Sequence, residues 1–317
     1  MKILFLGKTF PSSRDHLRLF LPGDCITDAW PQEVQATEIR ADVLIPTMCR
    51  VDAPLMDVVR PRLIQQFGVG LEGVDVPAAT TRRIPVANVS AADTGNATAV
   101  AELALMHLLV LFRRYREARE GVHAGLLGEP AGETLAGKTA AVIGLGAVGR
   151  EVAARLHSLG VRVIAVGRDR LPPGSSPAAN VDEYFPAAEM RSALAHADCV
   201  VVCASLNDAT RGLLGERELA AMRRGGFLVN VARGPVVQYE ALRTALRTGQ
   251  LAGAGLDVFW EEPIDPTDPI LRENVSVTPH VGGITHSSYT SIARAVADNV
   301  ERLRRGDPIR NCVNGGR

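Results

Sequence analysis

Four residues late in the sequence, Arg233, Asp257, Glu262 and His280, carry charge or exchange protons and could do chemistry together. They lie in three stretches that each follow an apolar, strand-like run: LVNVARGPVVQYEAL, GAGLDVFWEEP and VTPHVGG. Taken singly, each residue is also typical of a surface or loop contact. The carboxyl ends of strands in a nucleotide-binding sheet meet in one cleft, and so the pattern as a whole favours an active site there.

A glycine-rich stretch at 139–150, TAAVIGLGAVGR, indicates a nucleotide site. Glycines at the spacing of Gly144, Gly146 and Gly149 let the chain turn tightly out of a strand, approach a pyrophosphate and pack a helix close to the sheet. Such glycine turns also occur without a ligand. Here a strand-like run precedes the glycines, and an amphipathic helical run and a second strand at 162–166 follow them, which favours dinucleotide binding.

A second glycine-rich stretch, FGVGLEGVD at 67–75, follows a predicted strand in the N-terminal part. Ligands bind at the carboxyl ends of strands in open α/β sheets. The backbone amides of Val69, Gly70 and Leu71 could therefore hold a carboxylate. A glycine-rich turn that binds nothing is the alternative.

Length and composition limit the class of protein. The 317 residues suit two α/β domains. With 35 basic and 35 acidic residues, the formal net charge is +0, which gives no indication of a nucleic-acid or anionic-membrane binder. Five scattered cysteines without a CxxC pair predict a reduced, cytoplasmic protein without a structural metal. No signal peptide is expected, and the apolar run at 99–112 is too short and too polar to span a membrane.

The order of elements predicts two parallel α/β domains. Strand-like runs at 3–6, 43–45, 63–67 and 85–87 form the first, and a long helix at 97–119 follows a polar break. A glycine-rich surface loop at 121–137 leads into the nucleotide-binding strand. The second domain has further strands at 199–203, 227–230, 254–257 and 275–278, with a loop at 171–177. A terminal helix at 287–305 and a tail at 311–317 complete the chain.

Over almost its whole length the chain resembles the D-isomer-specific 2-hydroxyacid dehydrogenase family. The resemblance covers the glycine loop at 68–75, NATAVAE at 96–102, the GxGxxG, Thr210 and the three late stretches. It implies two Rossmann-like domains with parallel, doubly wound sheets. A flavodoxin-like substrate domain is expected at 1–93 and 287–317, and an NAD(P)-binding Rossmann domain at 94–286.

The resemblance also implies roles for the late residues. Arg233 binds the substrate carboxylate, His280 is the general acid and base, and Glu262 is its hydrogen-bonded partner. These roles fit the chemistry, since histidine titrates near neutrality, a carboxylate stabilises imidazolium and orients the ring, and arginine matches a carboxylate with a planar fork. Closure of the two domains is expected to exclude water from hydride transfer.

The cofactor and the substrate are assigned to further positions by the same resemblance. The substrate contacts are Val69, Gly70, Leu71, Met48, Arg233 and His280, with Met48 and Leu71 as candidate pocket walls. The cofactor contacts are Gly144, Gly146, Ala147, Val148, Gly149, Arg168, Asp169, Thr210, Val231, Ala232, Asp257, Gly282 and Gly283.

Two positions depart from the commonest family pattern. Leu71-Glu72-Gly73 stands where many members have an acidic residue followed by asparagine, which puts the local substrate contacts in doubt. Ser205 stands where proline is frequent. No regulatory domain follows Arg317, and so the serine control of longer phosphoglycerate dehydrogenases is not expected.

The end of the second nucleotide-binding strand bears on the choice of cofactor. NAD-binding relatives place an acidic residue there to hold the adenosine ribose. This chain has Gly167 followed by Arg168, which leaves room for a 2′-phosphate and supplies charge-assisted hydrogen bonds to it; Arg170 adds to this. Asp169 is the contrary signal, because a loop shifted by two residues could present its carboxylate to the ribose. The sequence therefore predicts NADP(H) in preference to NAD(H), with mixed use as the alternative.

Together these features predict a cytoplasmic, homodimeric NAD(P)-dependent reductase of small 2-oxo acids, with glyoxylate or hydroxypyruvate as substrate. A dehydrogenase for another 2-hydroxy acid, such as 3-phosphoglycerate, is one alternative. A cofactor-sensing, corepressor-like binding protein of the same fold is another, against which the group Arg233, Glu262 and His280 argues. No nucleic-acid, membrane or metal partner is expected.

Overall fold

The computed structural model describes residues 1–169 and 178–315. Arg170 and the predicted loop at 171–177 lie outside the described residues. The chain divides into two compact units, unit 1 at Met1–Asn96 and Ile284–Arg317, and unit 2 at Ala97–Gly283. Unit 2 is thus inserted in the sequence of unit 1.

Strands and helices alternate along the chain. The strands are β1 (Lys2–Leu6), β2 (Cys25–Ala29), β3 (Val43–Pro46), β4 (Leu63–Gln65), β5 (Val86–Ala87), β6 (Thr139–Ile143), β7 (Arg162–Gly167), β8 (Glu183–Pro186), β9 (Cys199–Val202), β10 (Gly226–Asn230), β11 (Leu251–Leu256) and β12 (Val275–Val277). The α-helices are α1 (Pro11–Phe20), α2 (Pro31–Thr37), α3 (Ala53–Val59), α4 (Val76–Thr81), α5 (Asn96–Phe112), α6 (Tyr115–His123), α7 (Ala147–Ser158), α8 (Met190–Ala195), α9 (Glu216–Ala221), α10 (Tyr239–Arg247) and α11 (His286–Arg305).

Unit 1 contains a five-stranded parallel sheet in the order β2-β1-β3-β4-β5, which is the flavodoxin-like order. Its central strands are apolar on both faces, as parallel strands between helices must be. Helix α11 packs on this unit, where the buried Asn299 amide donates to Gln65 over 2.8 Å.

Unit 2 contains a seven-stranded parallel sheet in the order β12-β11-β10-β9-β6-β7-β8. Numbered from β6, the order is 3-2-1-4-5-6 with one strand added, which is the Rossmann order. Two apolar clusters cover its faces, and α5 contributes Ala104, Leu108 and Leu111 to one of them. The predicted α/β class with two parallel sheets is confirmed.

Three local predictions were wrong. The helix predicted at 97–119 is two helices, α5 and α6, because Arg114 between them adopts a left-handed backbone with φ 49°. The loop predicted from Gly121 begins later, since α6 extends to His123. The predicted tail is attached to unit 1, since Cys312 pairs with Ala87 and the Asn314 side chain bonds Val86 and Ile84.

Within the described residues, no single helix has the length and hydropathy needed to cross a membrane. Only α5 and α6 taken together, with a 56° bend between them, satisfy the length and composition criteria. Helix α5 is largely buried in unit 2.

Candidate active site

The ring of His280 and the carboxylate of Glu262 form a direct pair. His280 Nδ1 lies 2.6 Å from Glu262 Oε2, and both side chains are largely buried. The other carboxylate oxygen, Oε1, accepts a hydrogen bond of 2.9 Å from the amide of Phe259. Because each oxygen has a partner, Glu262 fixes one ring nitrogen of His280 and is itself held by the backbone.

His280 lies three residues beyond β12, in a strained backbone conformation. Its φ of 54° is in the left-handed region, which is disfavoured for a residue with a side chain. The His280 amide donates to the carbonyl oxygen of Asp257 over 2.8 Å. Strain of this kind persists where surrounding contacts hold it, and it is concentrated at functional sites.

Asp257, directly after β11, organises the loop that carries His280. Its carboxylate accepts hydrogen bonds from the Thr278 hydroxyl (2.7 Å) and from the amides of Val281 (2.8 Å) and Gly282 (2.9 Å). Burial raises the pKa of Asp257 above its usual value, an effect that these three bonds oppose. A Cβ atom at Gly282 would lie 2.7 Å from Asp257 Oδ2, and so the close approach requires glycine.

Arg233 lies in a turn after β10 that the buried side chain of Asn230 shapes. Asn230 donates to the carbonyl oxygen of Arg233 over 2.9 Å and accepts from the amide of Ala232 over 3.1 Å. The next residue, Gly234, abuts the backbone of Phe259 so closely that a Cβ atom would overlap it. The turn with Arg233 is therefore adjacent to the loop that leads to Glu262.

The three glycines of the GxGxxG play different parts. Gly144 has φ 96° and faces the backbone of Ala204, where a Cβ atom would lie 2.8 Å away. A Cβ atom at Gly149 would overlap the carbonyl oxygen of Gly144, which sets the close approach of α7. Gly146 faces open space at the start of α7, beside the exposed Ala147 and half-buried Val148. This arrangement fits a pyrophosphate at the helix N-terminus.

At the end of β7, Gly167 is covered by a tyrosine. The ring of Tyr184, on β8, occupies the place of a Cβ atom at Gly167, and its hydroxyl donates to the carbonyl oxygen of Asp169 over 2.8 Å. The side chains of Arg168 and Asp169 are both exposed. The φ of Gly167 does not itself require glycine, and a side chain at this position would require Tyr184 to move.

The remaining predicted cofactor positions are less distinctive. Val231 and Ala232 are buried beside Asn230. The hydroxyl of Thr210 stays within its own loop, where it donates to the carbonyl oxygen of Ser205 over 2.6 Å. Gly283 ends unit 2. No group of three or more metal-ligating side chains occurs among the described residues.

In unit 1 the predicted substrate residues occupy two adjacent loops, after β3 and β4. The amide of Val51 donates to Gly73 over 2.8 Å, which joins the loop of Met48 to that of Val69, Gly70 and Leu71. Met48 has φ 59° and is 51% exposed. Within the described residues, the amides of residues 69, 70 and 71 donate to no acceptor.

Sequence reasoning did not identify several residues that shape these sites. Asn230 and Thr278 lie inside the stretches that were recognised, beside more reactive types. His107 interrupts the apolar run at 99–112, and a lone histidine within an apolar helix is the signal that could have identified it. Tyr184 lies on an unpredicted edge strand, and so its contact with Gly167 left no pattern in the sequence.

Comparison with known proteins identifies the family. The model of the D-isomer specific 2-hydroxyacid dehydrogenase NAD-binding domain matches residues 105–282. A glyoxylate reductase of Thermococcus gammatolerans is 36% identical over 90% of this chain and 86% of that protein. The chain belongs to the D-isomer specific 2-hydroxyacid dehydrogenase family. It is therefore an NAD(P)-dependent oxidoreductase of 2-hydroxy acids.

Two other members are similar at different lengths. A D-3-phosphoglycerate dehydrogenase of Archaeoglobus fulgidus is 33% identical over 86% of this chain, which spans about half (51%) of that protein. The structure of an NADPH-dependent glyoxylate/hydroxypyruvate reductase of Sinorhizobium meliloti, in complex with NADP and malonate, has a TM-score of 0.82 and 28% identity. The structural match covers 98% of this chain and 96% of the chain of the Sinorhizobium meliloti protein.

Proposed function

We propose that the protein reduces a small 2-oxo acid, glyoxylate or hydroxypyruvate, to the D-2-hydroxy acid. The observation that carries the proposal is the 2.6 Å contact between His280 and Glu262 beside the turn of Arg233. The relatives named glyoxylate reductase, one of them aligned over 86% of its length, support the substrate.

The proposed roles follow from the positions of the side chains. Arg233 binds the carboxylate of the substrate and polarises its carbonyl group. His280 has Nδ1 engaged by Glu262, and it donates the proton of Nε2 to the carbonyl oxygen during reduction. Glu262 stabilises the imidazolium and fixes the ring plane. The amides of residues 69 to 71 hold the substrate carboxylate.

Residues of unit 2 hold the cofactor in this proposal. Gly144, Gly146 and Gly149 would admit the pyrophosphate at the start of α7, and Asp257 would accept a hydrogen bond from the nicotinamide carboxamide. When bound, the nicotinamide supplies the hydride for reduction. Asp257 also holds the backbone amides of His280, Val281 and Gly282, so the residue proposed to contact the cofactor also positions the proton donor.

The test is oxidation of NADPH and NADH by the purified protein with glyoxylate, hydroxypyruvate, pyruvate, bulkier 2-oxo acids and 3-phosphohydroxypyruvate. Turnover of a small 2-oxo acid by the wild type, lost in His280→Ala while cofactor binding persists, is the expected result. Preference for the phosphorylated acid would reassign the substrate. Cofactor binding without turnover of any acid would favour the cofactor-sensing alternative.

NADP(H) is the proposed cofactor because Gly167 leaves the end of β7 without the acidic side chain that holds the ribose of NAD, and the exposed Arg168 follows it. The bond from Tyr184 to the Asp169 carbonyl also restrains the loop that would have to shift to bring Asp169 to the ribose. Arg168 then meets the 2′-phosphate. In Arg168→Gln the ratio of kcat/KM for NADPH over NADH should fall roughly 10- to 100-fold, whereas Asp169→Asn should change it little. An unchanged ratio in Arg168→Gln would contradict the assignment.

We also propose a homodimer formed through α6 and the segment after it. Exposed apolar side chains are concentrated there, with Leu127 99%, Val122 75% and Leu126 58% exposed. Exposed apolar groups in one place mark association surfaces. Light scattering should give a dimer that Leu127→Asp weakens. The control is the same change at Leu19 on α1, which is 73% exposed, and Leu19→Asp should leave the mass unaltered. A monomeric wild type would reject the proposal.

A further inference from the structure

His107, in the middle of α5, is a fully buried histidine with no part in the proposed mechanism. Burial lowers its pKa to about 4, and the ring is therefore neutral under working conditions. Nδ1 lies 2.8 Å from the hydroxyl of Ser276, and Nε2 lies 3.1 Å from the hydroxyl of Thr278. Both hydroxyls belong to β12 and the residue that follows it, and so His107 contacts the strand that leads to His280.

Only one assignment of donors and acceptors is consistent with the hydrogen bonds that connect His107, Thr278 and Asp257. The Thr278 hydroxyl donates its single proton to Asp257 over 2.7 Å, and the carboxylate also accepts from two amides. The oxygen of Thr278 must then accept from His107, which requires the proton on Nε2. Nδ1 is left as the acceptor for the hydroxyl of Ser276. The geometry thus selects one tautomer of the neutral ring.

The far end of this hydrogen-bond chain holds the backbone around His280. Asp257 binds the amides of Val281 and Gly282 through its carboxylate and the amide of His280 through its carbonyl oxygen. His280 has φ 54°, a conformation that needs such support. A change in the orientation of the Asp257 carboxylate would therefore move the backbone that positions the His280 ring.

The packing of α5 is adapted to this arrangement. A Cβ atom at Gly255, on β11, would lie 2.6 Å from the Cβ atom of His107. The φ of Gly255 does not itself require glycine, and so the residue is needed for space. Glycine at this position lets His107 come close enough to the sheet to reach both hydroxyls.

We propose that His107 is a positioning residue for His280: with its proton on Nε2 it orients the Thr278 hydroxyl onto Asp257, which fixes the backbone of His280. The effect on turnover rests on the proposed function of His280. The tautomer of His107 and the restraint of the loop do not depend on it.

The kinetic test compares variants that break the chain with variants that retain it. His107→Leu and Thr278→Val should each lower kcat about tenfold, the effect of one lost hydrogen bond, while KM for the 2-oxo acid changes little. His107→Gln and Thr278→Ser keep a donor and a hydroxyl and should recover most of kcat. The double variant should be no slower than the worse single variant, because both changes break the same chain. Unchanged kcat in Thr278→Val, or multiplied losses in the double variant, would overturn the proposal.

A second test needs no activity. In protein labelled with ¹⁵N-histidine, the ring of His107 should show the Nε2–H tautomer throughout pH 6 to 8, and its signals are assigned by their loss in His107→Gln. An Nδ1–H tautomer would contradict the proposal. Amide exchange at Val281 and Gly282 should be faster in Thr278→Val than in the wild type, and equal rates would also contradict it.

These results separate the two proposals. If the wild type reduces no 2-oxo acid, the proposed function fails, while the tautomer and the exchange rates still decide whether His107 restrains this loop. If His107→Leu does not fold, Thr278→Val and the wild-type spectrum give the decision. A variant that only lowers the melting temperature and leaves kcat and the exchange rates unchanged would assign His107 a purely structural role.

Discussion

The strand ends of unit 2 and those of unit 1 are built differently. In unit 2, side chains fix one another, as Asp257 accepts three hydrogen bonds and Glu262 holds both His280 and a backbone amide. In unit 1, single hydrogen bonds to backbone atoms hold the loops, such as the 2.9 Å bond from the Asn88 side chain to the carbonyl oxygen of Val69, and Met48 and Val69 are 51% and 41% exposed. Proton transfer needs one fixed geometry, whereas a pocket wall needs only shape. We therefore predict that substitutions at the strand ends of unit 2 change kcat and that substitutions in the loops of unit 1 change the preference among 2-oxo acids.

The largest effect should come from the proton donor itself. His280→Ala removes the general acid and should lower kcat roughly 10²- to 10⁴-fold. The dissociation constant of the cofactor, measured by fluorescence, is expected to stay within a few-fold of the wild type. A loss of kcat below tenfold would mean that the proton comes from another group, and the contrast between the two units would lose its main support.

The buried ring of His107 should make folding stability depend on pH. Its pKa is lowered to about 4 in the folded chain from 6.5 in the unfolded one. Above pH 6.5 neither form binds the proton. As the pH falls to 4, only the unfolded chain binds it, and the wild type should lose roughly 3 kcal/mol relative to a variant without the histidine. Urea unfolding from pH 7 to pH 4 measures this.

Two variants serve as a check on that measurement. His107→Gln and His107→Leu differ in packing and hydrogen bonding, but they should give the same pH-dependent difference from the wild type. If the free energy of unfolding of both variants ran parallel to that of the wild type from pH 7 to pH 4, the pKa of His107 would be the same in the folded and the unfolded chain.

The charge of Glu262 should matter less than the ring that it holds. Glu262→Gln preserves the size of the side chain and an acceptor for the Phe259 amide, but it removes the charge beside the imidazolium. We expect kcat to fall roughly 10- to 100-fold, which is the range for one charged hydrogen bond. The exposed neighbour provides the control, since Glu261→Gln should be indistinguishable from the wild type. Equal effects of Glu261→Gln and Glu262→Gln on kcat would contradict the assignment of Glu262 as the partner of His280.

Variants of two glycines in unit 2 should distinguish an effect on stability from an effect on cofactor binding. Gly149→Ala forces overlap with the carbonyl oxygen of Gly144 and should lower the free energy of unfolding by about 1–3 kcal/mol. Gly146→Ala meets nothing within 4 Å and should leave stability unchanged while weakening cofactor binding. Thermal unfolding and cofactor titration distinguish the two variants. Unaltered cofactor affinity in Gly146→Ala would place the pyrophosphate elsewhere.

The smallest effect on stability is expected in unit 1. Met48→Ala removes a half-exposed side chain and should change the free energy of unfolding by no more than about 0.5 kcal/mol. The ratio of kcat/KM between a bulky and a small 2-oxo acid should nevertheless change up to roughly tenfold. A large fall in kcat for every acid would mean that unit 1 also fixes the reacting geometry.

The sequence was informative where residue chemistry and strand ends coincide. The nucleotide-binding stretch and the group around His280 could be located because glycine, arginine and histidine at strand ends have few structural reasons to occur together. The family and the two parallel sheets were confirmed. The site roles and the preference for NADP(H) stay predictions.

The elements that were not predicted share a physical cause. Strands β2 and β8 were missed, and both lie at sheet edges, where one side of the strand is open and the apolar pattern is interrupted. The break between α5 and α6 falls at Arg114, without a proline or glycine to mark it. The contacts of His107 and Tyr184 join residues far apart in sequence, which local patterns do not encode.

Unit 1 is built from segments on both sides of unit 2, and this has a consequence for synthesis. Helix α11 packs on α1, and residues 312–314 pair with β5. Domains fold as units while the chain emerges from the ribosome. Unit 2 has all its strands once residue 283 has emerged, whereas the unit 1 sheet, although its five strands precede unit 2, gains the packing of α11 only after all of unit 2 has been made.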